Sequence, residues 1–292
     1  MSKCNNCPRN CNIDRSKNPG ICGVGNKIKV ALADLHFGEE PFISGTRGSG
    51  TIFFSGCPLK CVFCQNYQIS HGASGVEISV QRLAEIMREL EQKGAHNINF
   101  VTPTHYFDLI EQALKLYRPG IPLVYNTGGY DSVYNIKKDL FDVYLFDLKF
   151  YSSEKSLKYA KCTDYFSVAS SAIKTAVNIT GAPKYNPQGI MNRGVVVRHL
   201  ILPQNTGESI NIINWLNDNT PEIVLSLMSQ YTPMHKSEEY EELNRKITKR
   251  EYNKVLDKCY NTNFSDIITQ DLSSATDDMI PQFNFKGIIK DT

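Results

Sequence analysis

Thr51-Ile-Phe-Phe-Ser-Gly-Cys57-Pro-Leu-Lys-Cys61-Val-Phe-Cys64 runs a short apolar strand straight into three thiols spaced C-x3-C-x2-C. Three thiolates are one too few to close a cube of four irons. Such a cluster keeps one iron free to bind another molecule, whereas ferredoxin-type and structural zinc sites are closed by a fourth ligand. A zinc site completed by a distant His71 or Cys162 is the competing reading. Three ordinary core cysteines fit poorly with a loop that carries Gly, Pro and Lys. A disulfide is not expected, because Met1-Ser-Lys-Cys-Asn-Asn-Cys7 lacks the apolar core of a secretion signal, which points to a reducing, cytoplasmic setting.

Outward from this stretch the chain repeats a short apolar run followed by a helical pattern. The runs Thr51–Ser55, Asn97–Val101, Pro122–Tyr125, Asp142–Leu148, Gly194–Leu202 and Ile223–Met228 are nearly continuous Val, Ile, Leu, Phe and Tyr, as expected of parallel strands buried on both faces. Between them, Ser79–Lys93 places Val80, Leu83, Ala84, Met87 and Leu90 on one helical face, with Ser79 as N-cap and Gly94 as terminator. Phe107–Tyr117 repeats the pattern and stops before Pro119-Gly120. Asp131–Lys138, Asp164–Val177 and Ser209–Asn217 are further helix candidates. Six alternations of strand and helix predict an α/β fold, a partial (β/α)6 TIM-type barrel.

In barrels chemistry collects at the C-terminal ends of strands. There this chain carries the cysteine loop, Thr102-Pro103-Thr104-His105, Asn126-Thr127-Gly128-Gly129, Asp147 with Lys149, Arg198 with His199, and Gln230-Tyr231. A guanidinium inside Val-Val-Val-Arg198-His-Leu-Ile-Leu would cost several kcal/mol if unpaired, so Arg198 faces an acid or a ligand's negative charge. Asp147 and Lys149, two apart in a strand, share a face. They either meet the carboxylate and amine of a zwitterionic ligand or form a structural ion pair.

The 292 residues divide into a Cys-rich N-terminal extension (1–45), the barrel core (46–234) and a C-terminal helical segment (235–292) that packs on or closes the barrel. A net charge of +2 leaves no basic footprint for a nucleic acid, and no apolar stretch reaches the roughly 18 residues that span a bilayer. Nine cysteines cluster rather than scatter. Cys4, Cys7, Cys11 and Cys22 lie in a stretch of Asn, Asp, Arg, Pro and Gly that cannot bury a core without a staple. Four thiolates there complete a zinc site or close a second Fe–S cluster.

With these residues in hand, the chain resembles the radical S-adenosylmethionine (SAM) superfamily, and within it the pyruvate formate-lyase activating enzyme group, in a branch with an N-terminal cysteine cluster. The resemblance runs from Cys4 to about Phe283. Its matching segments are 7–11, 35–41, 48–57, 64–67, 101–105, 124–127, 147–149, 198–203 and 227–233. The resemblance implies that Cys57, Cys61 and Cys64 hold a [4Fe-4S] cluster whose free iron is chelated by SAM. Reductive cleavage, with an electron from flavodoxin or ferredoxin, then yields a 5′-deoxyadenosyl radical. In the activases this radical removes a hydrogen from a glycine of a large partner enzyme. The resemblance also places Phe63 near the adenine and Lys149 and Arg198 near SAM. Thr102 and Thr104 stand where the group has the Gly-Gly-Glu-Pro that binds the SAM amine. Asn126-Thr127 stand in place of an Asp-Thr-Asn-Gly whose acid serves a cation, and the group's late histidine falls at Thr232. The two alternatives are a radical enzyme acting on a small molecule, peptide or RNA base, and a non-catalytic zinc-binding adaptor. The latter leaves the strand-end residues unexplained.

Overall fold

The computed structural model describes residues 3–272 and 281–289. The strands are β1 (Ile28–His36), β2 (Ser49–Phe54), β3 (Val76–Ile78), β4 (Ile98–Val101), β5 (Leu123–Thr127), β6 (Val143–Asp147), β7 (Lys184–Tyr185), β8 (Met191–Leu200), β9 (Val224–Met228) and β10 (Asp266–Thr269). The helices are α1 (Pro41–Ser44), α2 (Tyr67–Ser70), α3 (Val80–Gln92), α4 (Phe107–Leu116), α5 (Val133–Ile136), α6 (Ser153–Ala160), α7 (Tyr165–Thr180), α8 (Thr206–Asn219) and α9 (Lys249–Cys259).

The main sheet runs β10-β9-β8-β6-β5-β4-β2-β1-β3. The six strands read from the apolar runs are present and mutually parallel, which makes the chain an α/β protein built on an open, partial barrel. Two additions flank them. β10 joins β9 in parallel on one edge, and β1 joins β2 in antiparallel fashion on the other, with β3 beyond it. β10 comes from the C-terminal segment, whose described residues also form two 3-10 turns and α9. The stretches 273–280 and 290–292 of that segment lie outside the described residues.

Alternation along the strands sorts side chains onto two faces. Phe100, Tyr125, Tyr144, Phe146, Val195, Val197 and Leu225 join the helices α3, α4, α7 and α8 in the large outer core. Val124, Val143, Leu145, Val196 and Val224 line the other face, where Phe42 and Ile43 of α1 cover them. The β1–β2 connection that carries α1 leaves β1 at His36, opposite Ser49, and so at the N-terminal end of β2.

Local signals explain some of the helix ends. Ser79 accepts from the Arg82 N–H, as its cap position predicts, and Gly94 follows in a left-handed conformation. α5 is shorter than the pattern over Asp131–Lys138 suggests, because the Asp131 carboxylate is drawn inward to hydroxyl donors. α6, capped by Ser152, is only eight residues long and is absent from the sequence reading. No helix among the described residues is long and apolar enough to cross a membrane.

Candidate active site at the strand ends

After β2 the chain turns sharply at Gly56, whose φ of 83° is left-handed and whose place would bring a Cβ within 2.8 Å of the Cys22 carbonyl. Only glycine suits both demands. The loop that follows is pinned from several sides. Cys57 N–H donates to the Cys22 carbonyl at 3.1 Å, Lys60 N–H to Ala160 at 3.2 Å, and Val62 N–H to Tyr159 at 2.8 Å. Lys236 N–H closes on the Val62 carbonyl at 2.9 Å.

Cys61 is buried, Cys57 and Cys64 half-buried, and all three are free thiols. Burial, followed by the neighbouring Cys64, pushes Cys57 up to about 12, and burial pushes Cys61 and Cys64 up as well. The Lys149 ammonium opposes this at each of the three. All three thiols thus feel the Lys149 charge, Cys57 that of Lys60 as well, and a bound metal's charge would deprotonate them. The two residues that would have closed a zinc site each have another partner. Cys162 donates to Asp164 at 3.0 Å, and His71 Nδ1 lies 3.0 Å from the Ser70 hydroxyl with its ring against His235. Among the described residues no three His, Cys, Asp or Glu side chains converge on a single ion. A cube does not require that, because each thiolate binds its own iron. The donor set therefore fits a cluster held at three corners.

Ser70 stands between the loop and two histidines: its hydroxyl lies 3.1 Å from Cys64 Sγ. His235 has a left-handed backbone, stacks on Tyr67 at 4.9 Å and meets His71 at 4.6 Å. This histidine lies three residues past Thr232, whose own hydroxyl is buried without a partner. Phe63 packs into the core between Phe150 and Tyr231.

Beneath the loop lies a charged layer. Arg198, 14% exposed, donates to Asp147 Oδ1 at 2.6 Å, Glu39 Oε2 at 2.9 Å and Asn126 Oδ1 at 2.6 Å. Lys149 Nζ donates to the other Asp147 oxygen at 2.8 Å. Asn99 and Asn126 donate to Glu39 Oε1 at 3.0 and 2.9 Å. Burial weighs against the ionised forms, but Arg198 and Lys149 hold the Asp147 carboxyl below its usual range. Two cations thus meet two carboxylates. Neighbouring Glu40 is buried, and desolvation raises its carboxyl despite Arg198. Glu39 is the site residue that sequence reasoning missed, although Arg198's need for a buried acid was the signal for it.

A second network lies on the outer face. Asp131 accepts from Thr104 and Tyr125 at 2.6 Å each and from Thr127. Burial nonetheless raises its carboxyl. Thr104 and Thr127 are therefore brought together around Asp131, apart from Asn126 in the charged layer. Thr102 sits at the turn after β4 with a left-handed φ of 59°, its N–H on the Asn126 carbonyl. The Tyr165 hydroxyl lies 2.6 Å from the Asp147 carbonyl and accepts from Lys149 N–H at 2.9 Å, fixing the end of β6. His105 and His199 are buried structural residues, each with a ring nitrogen on a backbone carbonyl.

The chain is similar to several known proteins. A model of the radical SAM superfamily matches residues 51–216. Uncharacterized protein MJ0674 of Methanocaldococcus jannaschii is 30% identical over 269 residues, 88% of this chain and 74% of that one. Among solved structures, Streptococcus suis SuiB bound to precursor peptide SuiA is 16% identical with a TM-score of 0.49, over 74% of this chain and 46% of that chain. SuiB bound to S-adenosylmethionine is 15% identical with a TM-score of 0.45, over 76% and 46%. The chain spans less than half the length of these solved proteins.

Proposed function

Because this chain belongs to the radical SAM superfamily, as the family match over 57 to 64 and beyond shows, we propose that it is an enzyme holding a [4Fe-4S] cluster on Cys57, Cys61 and Cys64 and binding SAM beside it. One observation carries this reading: three free thiols stand in one buried loop behind the sharp Gly56 turn, facing the charge of Lys149, and the candidate fourth ligand Cys162 is held by Asp164. When bound, the cluster and nucleotide supply a 5′-deoxyadenosyl radical by reductive cleavage, with flavodoxin or ferredoxin as the electron source.

The chain's own part is binding and positioning. Lys149 gives one N–H to Asp147 and keeps two donors for a ligand carboxylate, while Asp147 offers acceptor capacity to an amine. Arg198, braced by Glu39 and Asn126, holds Asp147 in place rather than reaching the ligand with its own ends. The Thr102 turn and Asn126 border the same strand ends, and Phe63 forms part of the apolar wall behind the loop. Burial of this loop keeps water from the reacting centre.

The finer reading is an activase of the pyruvate formate-lyase activating type, taking a hydrogen from a glycine of a partner enzyme. Segments 147–149 and 198–203, which carry the charged layer, support it. Anaerobically reconstituted protein given dithionite and SAM is expected to release 5′-deoxyadenosine and methionine, and Cys61→Ala is expected to release neither while keeping its fold. No product from the wild type would end the enzyme reading. A glycyl radical appearing by EPR on a partner that co-purifies anaerobically would carry the activase reading. Turnover of a peptide or small molecule without that radical would replace it.

A further inference from the structure

Residues 3–27 form no helix or strand, yet they pack closely. Their buried side chains are Cys7, Cys22 and Val24, so thiols take the place of an apolar core. Asn10 and Asn12 adopt left-handed conformations that fold the chain back on itself. Cys4 N–H reaches Ile13, Asn12 N–H reaches Cys4, and Ile21 N–H points at Cys11 Sγ at 3.5 Å. A Cβ on Gly20 would sit 3.3 Å from Cys22 Sγ and 3.6 Å from Cys11 Sγ, so these two thiols converge on one spot. All four cysteines are unpaired thiols. A segment of this kind lacks the apolar burial to hold its shape and needs a metal to do so.

This segment also grips the active-site loop. Cys57 N–H donates to the carbonyl of Cys22, a member of the N-terminal set. Arg9 Nε donates to the Pro58 carbonyl at 2.8 Å, and its terminal nitrogen to the Lys161 carbonyl at 2.8 Å, while the guanidinium lies over the Tyr130 ring. Arg15 donates to the His105 carbonyl at 2.8 Å, and Asn135 donates to Asn6 at 3.2 Å. The segment thereby ties together the loops after β2, β4, β5 and β6.

We propose that Cys4, Cys7, Cys11 and Cys22 hold a four-thiolate metal centre, and that its occupancy sets the position of the Cys57–Cys64 loop, with Arg9 as the positioning residue. The second half deepens the function proposed above and rests on it; the first half stands alone. The shared chemistry is tetrathiolate ligation; because no three of these thiols already converge on a single ion, an Fe–S cluster, in which each thiolate binds its own iron, fits their spacing better than a zinc ion.

The test uses the full chain carrying Cys57→Ala, Cys61→Ala and Cys64→Ala, so that any bound metal reports the N-terminal site alone. One zinc, or iron with matching acid-labile sulfide, is expected, and which of the two is found identifies the source. Protein with neither overturns the metal site. Hydrogen exchange is then followed across residues 55–64 before and after the metal is removed by a chelator. Removal is expected to speed exchange at these amides at least tenfold. An unchanged loop overturns the coupling, and it does so whether or not the wild type cleaves SAM. Arg9→Ala and Arg9→Lys, made in the wild-type chain, keep the proposal open to refutation should the chelated protein unfold. Arg9→Ala is expected to keep its N-terminal metal but lose the change in the loop cluster's EPR spectrum on adding SAM, and Arg9→Lys to recover part of it. An Arg9→Ala spectrum identical to wild type with SAM overturns the positioning role.

Discussion

Replacing Arg198 by Met tests the charged layer directly. In the wild type three polar contacts at 2.6, 2.9 and 2.6 Å bind the guanidinium to Asp147, Glu39 and Asn126. Met fills the space of the aliphatic stem but leaves Glu39, whose side chain is 8% exposed, with amide donors and no cation. Breaking a buried pair from one side costs about 3–5 kcal/mol, because the remaining charge stays desolvated. Asp147 suffers less: it keeps Lys149 and its side chain is 25% exposed. We therefore expect a loss near the lower end of that range, about 3 kcal/mol, out of the roughly 5–15 kcal/mol typical of a domain. Urea unfolding of the metal-free protein, followed by circular dichroism and by fluorescence of Trp215, measures it. Adding Glu39→Gln to Arg198→Met removes the stranded carboxylate and is expected to restore about 1–2 kcal/mol as a coupling term. SAM affinity should fall in Arg198→Met as well, through a misplaced Asp147. A single variant within about 1 kcal/mol of wild type, or a double variant no better than the single, would refute the reasoning.

Three further expectations follow from other parts of the molecule. His199 is buried with Nδ1 on the Leu148 carbonyl and Nε2 on Ser209, and desolvation lowers its pKa to about 4. The unfolded chain takes up this proton near 6.5 and the folded one does not until about 4, so stability is present above pH 6.5 and lost on acidification through that window. One such proton gives a slope of about 1.4 kcal/mol per pH unit, and His199→Gln should flatten the wild-type dependence by that much; an unaltered slope would count against it. Gly56→Ala forces a left-handed alanine onto the Cys22 carbonyl, so about 1–2 kcal/mol of stability and much of the iron uptake should go; normal iron content would show that the turn is not needed. Ser70→Ala removes the hydroxyl 3.1 Å from Cys64 Sγ, and a lost hydrogen bond of about 1 kcal/mol corresponds to about 40 mV. The cluster's potential is expected to move negative by that order, and an EPR-monitored titration giving no shift would rule out tuning by Ser70.

Legibility followed the range of the interaction. The six parallel strands could be read because burial on both faces writes itself as an apolar run, and Ser79 because a cap acts over three residues. Arg198 was legible as a charge in need of a buried acid, and Asp147 as half of the answer. The other half, Glu39, lies 159 residues away in a connection leaving the far end of β2, so only tertiary register brings it in. β10 escaped because Asp-Ile-Ile-Thr is too short to stand out and is half-exposed at the sheet edge. Thr104 and Thr127 were legible as strand-end hydroxyls, but their meeting at Asp131 required knowing that α5 begins late enough to turn that carboxylate inward.

The central claim concerns one open iron. Mössbauer spectra of anaerobically reconstituted protein, enriched in the active iron isotope and recorded with and without SAM, test it most directly once the spectrum of the Cys57, Cys61 and Cys64 alanine variant is subtracted. A cube in which a single iron changes its isomer shift when SAM is added is the result predicted. A difference spectrum containing no cube, or one that SAM leaves untouched, would contradict the account.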